Sequence, residues 1–356
     1  MNYYINRRIL MKFNHIKRIS LALALLILLT AILSSCGAKP VKSTDEEAAI
    51  VGTIGKFEVR YEELRYLVLN HKRDMALEYG ESIWTDPAKA EEYREELMNR
   101  VNESIVSDYY AVQAMADYYY IGGGAATMMN EELILEAVQE TVELAVDECG
   151  SFKKYKQMLE EQYLTDYLFR FYNAAEECAT ELFYILSRDL GEIASDDEYI
   201  TEYMHSDKFI RTNHIFLKGV TAENLELAKQ LREQIRESDE KELELIMLKG
   251  IHCADYTMTT RHGKYFARYT SDCGDEYELA AFDLRKNQLS DVIETPDGYY
   301  IILRLELEED YLEDNYEDFK DDIMGSEFNA RLAEYKSGMK FELNDYGKSI
   351  NILEIE

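Results

Sequence analysis

Three prolines, Pro40, Pro87 and Pro296, are all that interrupt this chain of 356 residues. Proline fixes φ and removes a backbone donor, so its scarcity permits long uninterrupted helices. The apolar pattern uses that freedom. Leu64, Leu67, Val68 and His71 fall along one side of a helix. Asp86-Pro87 starts another, Asp being a capping residue and Pro being suited to the first helical position. Behind it Leu97, Val101, Ile105, Val112, Met115, Ala116 and Tyr119 keep helical spacing up to Gly122-Gly123-Gly124. A further helix is predicted from Asn130 through Leu133, Ala137, Val138, Val142 and Ala145 to Gly150. Ser151 then caps a third, rich in Tyr and Phe, that extends to Leu186. Ahead of them all, residues 50–59 read as a hairpin turning at Gly55.

The pattern changes near Tyr203. Phe209 to Leu217 reads as an extended run, Leu225 to Ile235 as an amphipathic helix and Leu243 to Leu248 as a shorter one. A turn-rich stretch leads to Asp275, and Tyr277 to Leu284 is helical again. Tyr299, Ile301, Leu303, Leu305 and Leu307 alternate with Tyr300, Ile302, Arg304 and Glu306, which predicts a half-buried strand. One more helix (Phe319 to Tyr335) and short strands around Met339-Lys340-Phe341 and Ile350-Asn351-Ile352-Leu353 close the chain. Strands enclosing helices within about a hundred residues make a compact α+β domain. The expected fold class is therefore α+β: a mostly helical domain, completed by the C-terminal helix, with an α+β domain inserted into it.

The N-terminus carries Arg7, Arg8, Lys12, Lys17 and Arg18, with no acid before Cys36. An apolar run from Ile19 to Leu33 follows, broken by Ser20 and Thr30. Its 15 residues fall short of the ~20 that a spanning helix needs, and suit the core of a signal peptide. Leu33-Ser34-Ser35-Cys36-Gly37 resembles the lipobox of bacterial lipoproteins, in which cleavage precedes the cysteine and its sulfur takes up diacylglycerol. The resemblance implies a signal peptide over 1–35, a lipid on Cys36, a polar spacer over 36–48 and a place on the extracytoplasmic face of the cell membrane. Met11 would open an equally good signal.

The net charge is −31, and −36 once those five cations are set aside. So acidic a surface repels nucleic acid and anionic headgroups, which excludes a nucleic-acid partner. Cys149, Cys178, Cys253 and Cys273 form no CxxC pair. A Cys253–Cys273 disulfide and free thiols both remain open. His205, His252 and His262 match no ligand spacing, so no metal is expected. The chain has no Gly-rich phosphate loop.

Four further segments occur in a telling order. Thr212-Asn213-His214-Ile215-Phe216-Leu217 comes first, then Gly263-Lys264-Tyr265-Phe266, then Tyr277-Glu278-Leu279-Ala280-Ala281-Phe282-Asp283-Leu284. Gln288 to Ile302 completes the series, with Thr295-Pro296-Asp297-Gly298-Tyr299-Tyr300-Ile301-Ile302 at its end. Together they resemble parvulin-type peptidyl-prolyl isomerases: the His-bearing first strand, the glycine-aromatic turn, the "F-E-x-A-A-F-x-L" helix and the closing "G-Y-H-I-I" strand. The hairpin-then-helix start and helical flanks are similar to extracytoplasmic foldases of the PrsA/SurA kind.

The resemblance implies a helical foldase domain over 49–205, an isomerase domain over 206–307 and a return of the chain over 308–356. It implies a site of His214, Asp255 (with Cys253 as the alternative), Thr295 and Tyr300, bordered by Tyr277 and Phe266. Tyr300 stands where the family has a second histidine, and Tyr277 where it has a pocket phenylalanine. The pocket methionine has no clear counterpart, and about two residues are inserted between Phe266 and Tyr277. The implied function is that of a membrane-tethered foldase isomerising X-Pro bonds of unfolded secreted proteins, without a cofactor and with room for a homodimer. The alternative is a non-catalytic chaperone that keeps the domain as a client grip. A transporter's substrate-binding lipoprotein is disfavoured, because the strand-helix alternation of two open sheets is missing.

Overall fold

The computed structural model describes residues 40–119, 138–258 and 261–356. The signal peptide expected over 1–35, Cys36, the triple glycine at 122–124 and the helix start expected at Asn130 lie outside them. Among the described residues no helix is long and apolar enough to cross a membrane. They divide into two compact units, residues 40–119 and 138–185 with 331–356, and residues 186–258 with 261–330.

The first unit begins with the expected hairpin. β1 (Ile50–Ile54) and β2 (Phe57–Arg60) pair antiparallel about Gly55, whose φ of 59° suits glycine. Helices α1 (Tyr61–Tyr79), α2 (Ser82–Thr85), α3 (Pro87–Glu92), α4 (Arg94–Ile105) and α5 (Asp108–Tyr118) come next. Asp86 caps α3 by accepting from the Ala88 amide at 3.0 Å. The single helix predicted through Leu97 and Tyr119 is broken at Val106-Ser107. α6 (Gln139–Cys149) ends at Gly150 in left-handed geometry, and Ser151 caps α7 (Phe152–Glu161). The third predicted helix is also two: Thr165 caps a new one, α8 (Asp166–Tyr184), through the Leu168 amide. Its buried Tyr167, Phe171 and Phe183 are core.

A buried ion pair lies inside this unit. Arg170, fully buried, donates from Nε to Asp166 Oδ2 at 2.8 Å, and Tyr155 donates to the other oxygen at 2.9 Å. The end of the spacer is tied down too. Val41 N donates to Asp166 Oδ2 at 3.1 Å, and Ser43 Oγ to Glu62 at 2.8 Å.

The second unit is built on a four-stranded antiparallel sheet. α9 (Asp197–Met204) precedes β3 (Phe209–Lys218), and α10 (Ala222–Glu237) and α11 (Lys241–His252) come after it. Next are β4 (Lys264–Ala267), α12 (Asp275–Asp283), β5 (Ile293–Thr295) and β6 (Gly298–Leu305). The spatial order is β4-β3-β6-β5, so the two central strands are the first and the last. Ile215, Leu217, Tyr299, Ile301, Leu303 and Leu305 pack against Ala228, Leu231 and Ile235 of α10 and Leu245 and Leu248 of α11. The other face holds Ile210, Phe216, Tyr300 and Ile302 against Tyr277, Ala281 and Phe282 of α12. β6 is thus buried on both faces, not half-buried. Its alternation marks two different covering layers, and even Arg304 is enclosed, donating to Leu284 O at 2.7 Å.

Glycine is required where two chains touch. A Cβ on Gly263, at φ 78°, would lie 2.3 Å from Thr212 O, where β4 meets β3. The sequence pattern shows β4 only as a turn. α13 (Glu309–Asp314) and α14 (Tyr316–Ser337) lead out of the sheet, α14 belonging to this unit up to Ala330. In the first unit β7 (Phe341–Leu343) then pairs with β1, ahead of α15 (Asp345–Ser349). The strand expected at 350–353 is a single tight turn, Ile352–Glu354.

One buried acid in the first unit sets a pH response. Burial pushes the Glu63 carboxyl from 4.5 up to about 7, against a hydrogen bond from Tyr110 (2.6 Å) and with help from the charge of Glu62. Between those two values the unfolded chain loses this proton while the folded chain keeps it. Stability therefore falls as pH rises through that window, and Glu63→Gln flattens the slope. Denaturant midpoints measured in pH steps check this; equal slopes in the two proteins would refute it.

Candidate functional site

Period-2 alternation puts Thr212, His214 and Phe216 of β3 on the face covered by α12. His214 is fully buried there and is held at both ring nitrogens. Nε2 lies 3.1 Å from Asp255 Oδ2, and Nδ1 lies 3.0 Å from Tyr277 Oη. Tyr277 Oη is also 2.8 Å from Thr212 Oγ1. Four side chains from β3, α12 and the loop after α11 thus form one continuous chain of hydrogen bonds.

The loop is placed by the backbone of β3. Phe216 O accepts from the Ala254 amide at 2.8 Å, and the Phe216 amide donates to Cys253 Sγ at 3.3 Å. Cys253 is therefore the clasp, and Asp255 the residue that reaches the histidine. Asp255 Oδ1 is occupied by the amide (2.9 Å) and hydroxyl (2.6 Å) of Thr257, which leaves Oδ2 for His214.

The electrostatics fix the direction of the chain. Burial lowers the His214 pKa, only partly opposed by Asp255, so the ring is neutral at pH 7. Burial alone would raise Asp255. The hydrogen bonds from His214 and Thr257 outweigh it and hold the carboxylate well below its usual range. Tyr277 is pushed well above its ordinary value by burial and stays a phenol. A neutral ring facing a carboxylate must carry its proton on Nε2. Nδ1 then accepts from Tyr277, whose oxygen in turn accepts from Thr212. Every donor points toward Asp255.

Aromatic rings enclose the histidine. The Tyr300 centroid is 5.1 Å from that of His214 and 5.0 Å from that of Tyr277, both edge-on, and Tyr300 stacks on Phe216 at 4.5 Å. The register explains this: Phe216 faces Tyr300 and His214 faces Ile302 across the β3–β6 pair. Phe266 backs the cluster, edge-on to Phe282 at 5.6 Å and 6.1 Å from Tyr277.

The structure therefore gathers His214, Asp255, Tyr277 and Tyr300, with Phe266 behind them. Thr295 is the exception. Its hydroxyl donates to Gly298 O at 3.0 Å and is used in the β5–β6 turn rather than in the His214 chain. Tyr277 is more than a pocket wall, since its hydroxyl carries the relay. Thr212 and Thr257 have no counterpart among the residues that the resemblance implies, although Thr212 sits two residues from His214 and so on the same face. All four described cysteines are free, which settles the Cys253–Cys273 question in favour of thiols. His262 is bonded to Glu308 and stacked on Tyr311, and His205 is bonded to Thr201 O and Glu309.

His214, Tyr277, Tyr300 and Phe266 are buried, and Asp255 is partly exposed. The site offers a neutral imidazole with its charge partner, a floor of aromatic rings and low polarity around them.

No protein-family model matches the chain, and no curated protein matches it. Among solved structures, the chain is similar to PrsA from Bacillus subtilis, with 21% identity over 70% of this chain and 86% of that one and a TM-score of 0.25. It is also similar to the foldase protein PrsA from Streptococcus pneumoniae, with 13% identity over 81% and 93% and a TM-score of 0.32. A third neighbour comes from work on the Campylobacter jejuni proteins PEB4 and Cj1289, described as SurA-like chaperones, with 16% identity over 64% and 90% and a TM-score of 0.24. The structural neighbours are thus PrsA and SurA-like proteins. The chemistry of the site is carried by the geometry around His214 rather than by these likenesses.

The tautomer can be checked directly. Nitrogen-15 NMR at neutral pH is expected to show a neutral His214 ring protonated on Nε2; a ring protonated on Nδ1, or a cationic ring, would contradict the hydrogen-bond directions.

Proposed function

We propose that the chain is a membrane-tethered extracytoplasmic foldase whose sheet unit binds and isomerises X-Pro bonds of unfolded secreted proteins. The observation that carries this reading is the meeting of His214 and Tyr300 across β3 and β6, with Asp255 and Tyr277 bonded to the two ring nitrogens. Rotation about a peptide bond faces a barrier of ~18–20 kcal/mol set by amide resonance. No bond breaks, so catalysis needs a snug apolar seat for the proline ring and a polar group that favours the twisted amide over the planar one. The aromatic floor supplies the first, and the His214–Asp255 pair the second. Uncatalysed X-Pro isomerisation takes tens to hundreds of seconds, slow enough to limit folding after export. The acidic surface suits basic stretches of unfolded clients and disfavours nucleic acid.

A second reading has its own support. Tyr300 cannot adopt the protonation states of a histidine, and the Thr295 hydroxyl is engaged at Gly298. Under this reading the unit grips prolyl segments without turning them over. A protease-coupled peptide assay on the full chain separates the two. The isomerase reading expects activity in the unaltered chain and its loss in His214→Ala. An inactive parent chain that gains activity in Tyr300→His supports the grip and removes the isomerase.

The tether is proposed on the resemblance of Leu33-Ser34-Ser35-Cys36 to a lipobox. Expressed in a bacterium with labelled fatty acid, the chain is expected to take up label and enter the detergent phase of a cloud-point separation, and Cys36→Ser to do neither. Label retained in Cys36→Ser would remove the anchor from this position.

A further inference from the structure

The cluster around His214 contains a third polar group that the relay does not use. Cys273, in the loop before α12, places Sγ so that it, a ring nitrogen of His214 and an Asp255 carboxylate oxygen all lie within 4.8 Å of one another. We propose that His214, Asp255 and Cys273 form a three-ligand site for Zn2+ or a similar borderline cation such as Co2+, with a fourth position open to water.

The donor set is the first argument. Imidazole, carboxylate and thiolate are the side chains that bind zinc, and three of them plus a water make an open tetrahedral site. Nε2 is the ring nitrogen that faces Asp255, and so the one that would meet the ion. Bonds of roughly 2.0–2.3 Å put neighbouring donors roughly 3.3–3.7 Å apart, so the His214–Asp255 pair, at 3.1 Å, opens slightly around an ion while Cys273 moves in from within 4.8 Å. Asp255 and Cys273 are both partly exposed, which gives the ion a way in.

The surroundings are the second argument. Metal-ligating histidines and carboxylates keep their other atoms bonded to fixed partners, which orients them. Here Nδ1 of His214 is already bonded to Tyr277, and Asp255 Oδ1 to Thr257. On binding, the imidazole proton shifts from Nε2 to Nδ1. Tyr277 then accepts from the ring and donates to Thr212, so both hydroxyls stay satisfied. The Cys273 thiol gives up its proton to solvent, one proton released for each ion bound. Burial pushes the Cys273 thiol up to about 12, and Lys264 Nζ, 3.5 Å from Sγ and paired with Asp272, offsets this only in part while opposing a cation. A bound ion would withdraw His214 and Asp255 from the relay. The binding itself does not depend on the isomerase reading.

The test is a titration of the reduced full chain with Co2+. One equivalent is expected to produce a thiolate-to-cobalt charge-transfer band that Zn2+ displaces. Cys273→Ser should lose the band, Cys253→Ser keep it, and Tyr277→Phe weaken binding about tenfold or more by freeing Nδ1. No band in the unaltered chain, or a band that survives Cys273→Ser, overturns the site. A second measurement needs no variant: Zn2+ should slow alkylation of Cys273, read by peptide mass, while leaving Cys149 unaffected. Equal alkylation of Cys273 with and without Zn2+ overturns it as well.

Discussion

The pairing of β3 with β6 is the contact on which the sheet unit and its site both depend. The two strands are separated by some eighty residues of sequence, yet they run antiparallel in register from Arg211–Leu305 to Lys218–Gly298. Each is buried on both faces, so a slip of one residue would exchange the layer facing α10 and α11 for the one facing α12. Such a slip would place His214 among the aliphatic side chains of the helices, unpaired and costly. Packing energy and polar satisfaction thus select the same register, and that register brings Tyr300 beside the histidine.

Within that frame the His214 chain of hydrogen bonds is one-directional because burial keeps the imidazole neutral while its bonds keep Asp255 ionised. A carboxylate at the open end and a phenol at the closed end leave the ring a single tautomer. The same convergence of lone pairs is what brings Cys273 into range of a cation.

Much of the local architecture is legible in the sequence because short-range chemistry determines it. Asp86, Ser151 and Gly150 behave as their capping roles dictate, and the hairpin turns at Gly55. The departures have equally physical causes. Helical periodicity runs unbroken across Val106-Ser107 and across residues 162–165, because apolar spacing does not register where the chain turns. β4 has four residues, too few to alternate visibly, and only its pairing with β3 makes it a strand. β6 reads as having one wet face because Tyr300, Ile302 and Arg304 interleave tyrosine and arginine, and nothing local reveals that α12 covers them. Resemblance assigns Thr295 to the site, whereas geometry gives its hydroxyl to Gly298.

The sequence by itself determined the charged-then-apolar N-terminal segment with its cysteine, the capped helix starts at Asp86 and Ser151, and the presence of His214 on an apolar strand, because these arise from composition, capping chemistry and periods of two and 3.6 residues. Only the tertiary structure decided that Tyr277 and Asp255 hold the two nitrogens of His214, that Cys253 clasps the loop, and that Cys273 approaches the same histidine. Those contacts join residues 37 to 63 positions apart, depending on a hydrogen bond's direction and a few tenths of an ångström. No local pattern encodes such distances; they appear once the sheet and its covering helices are packed.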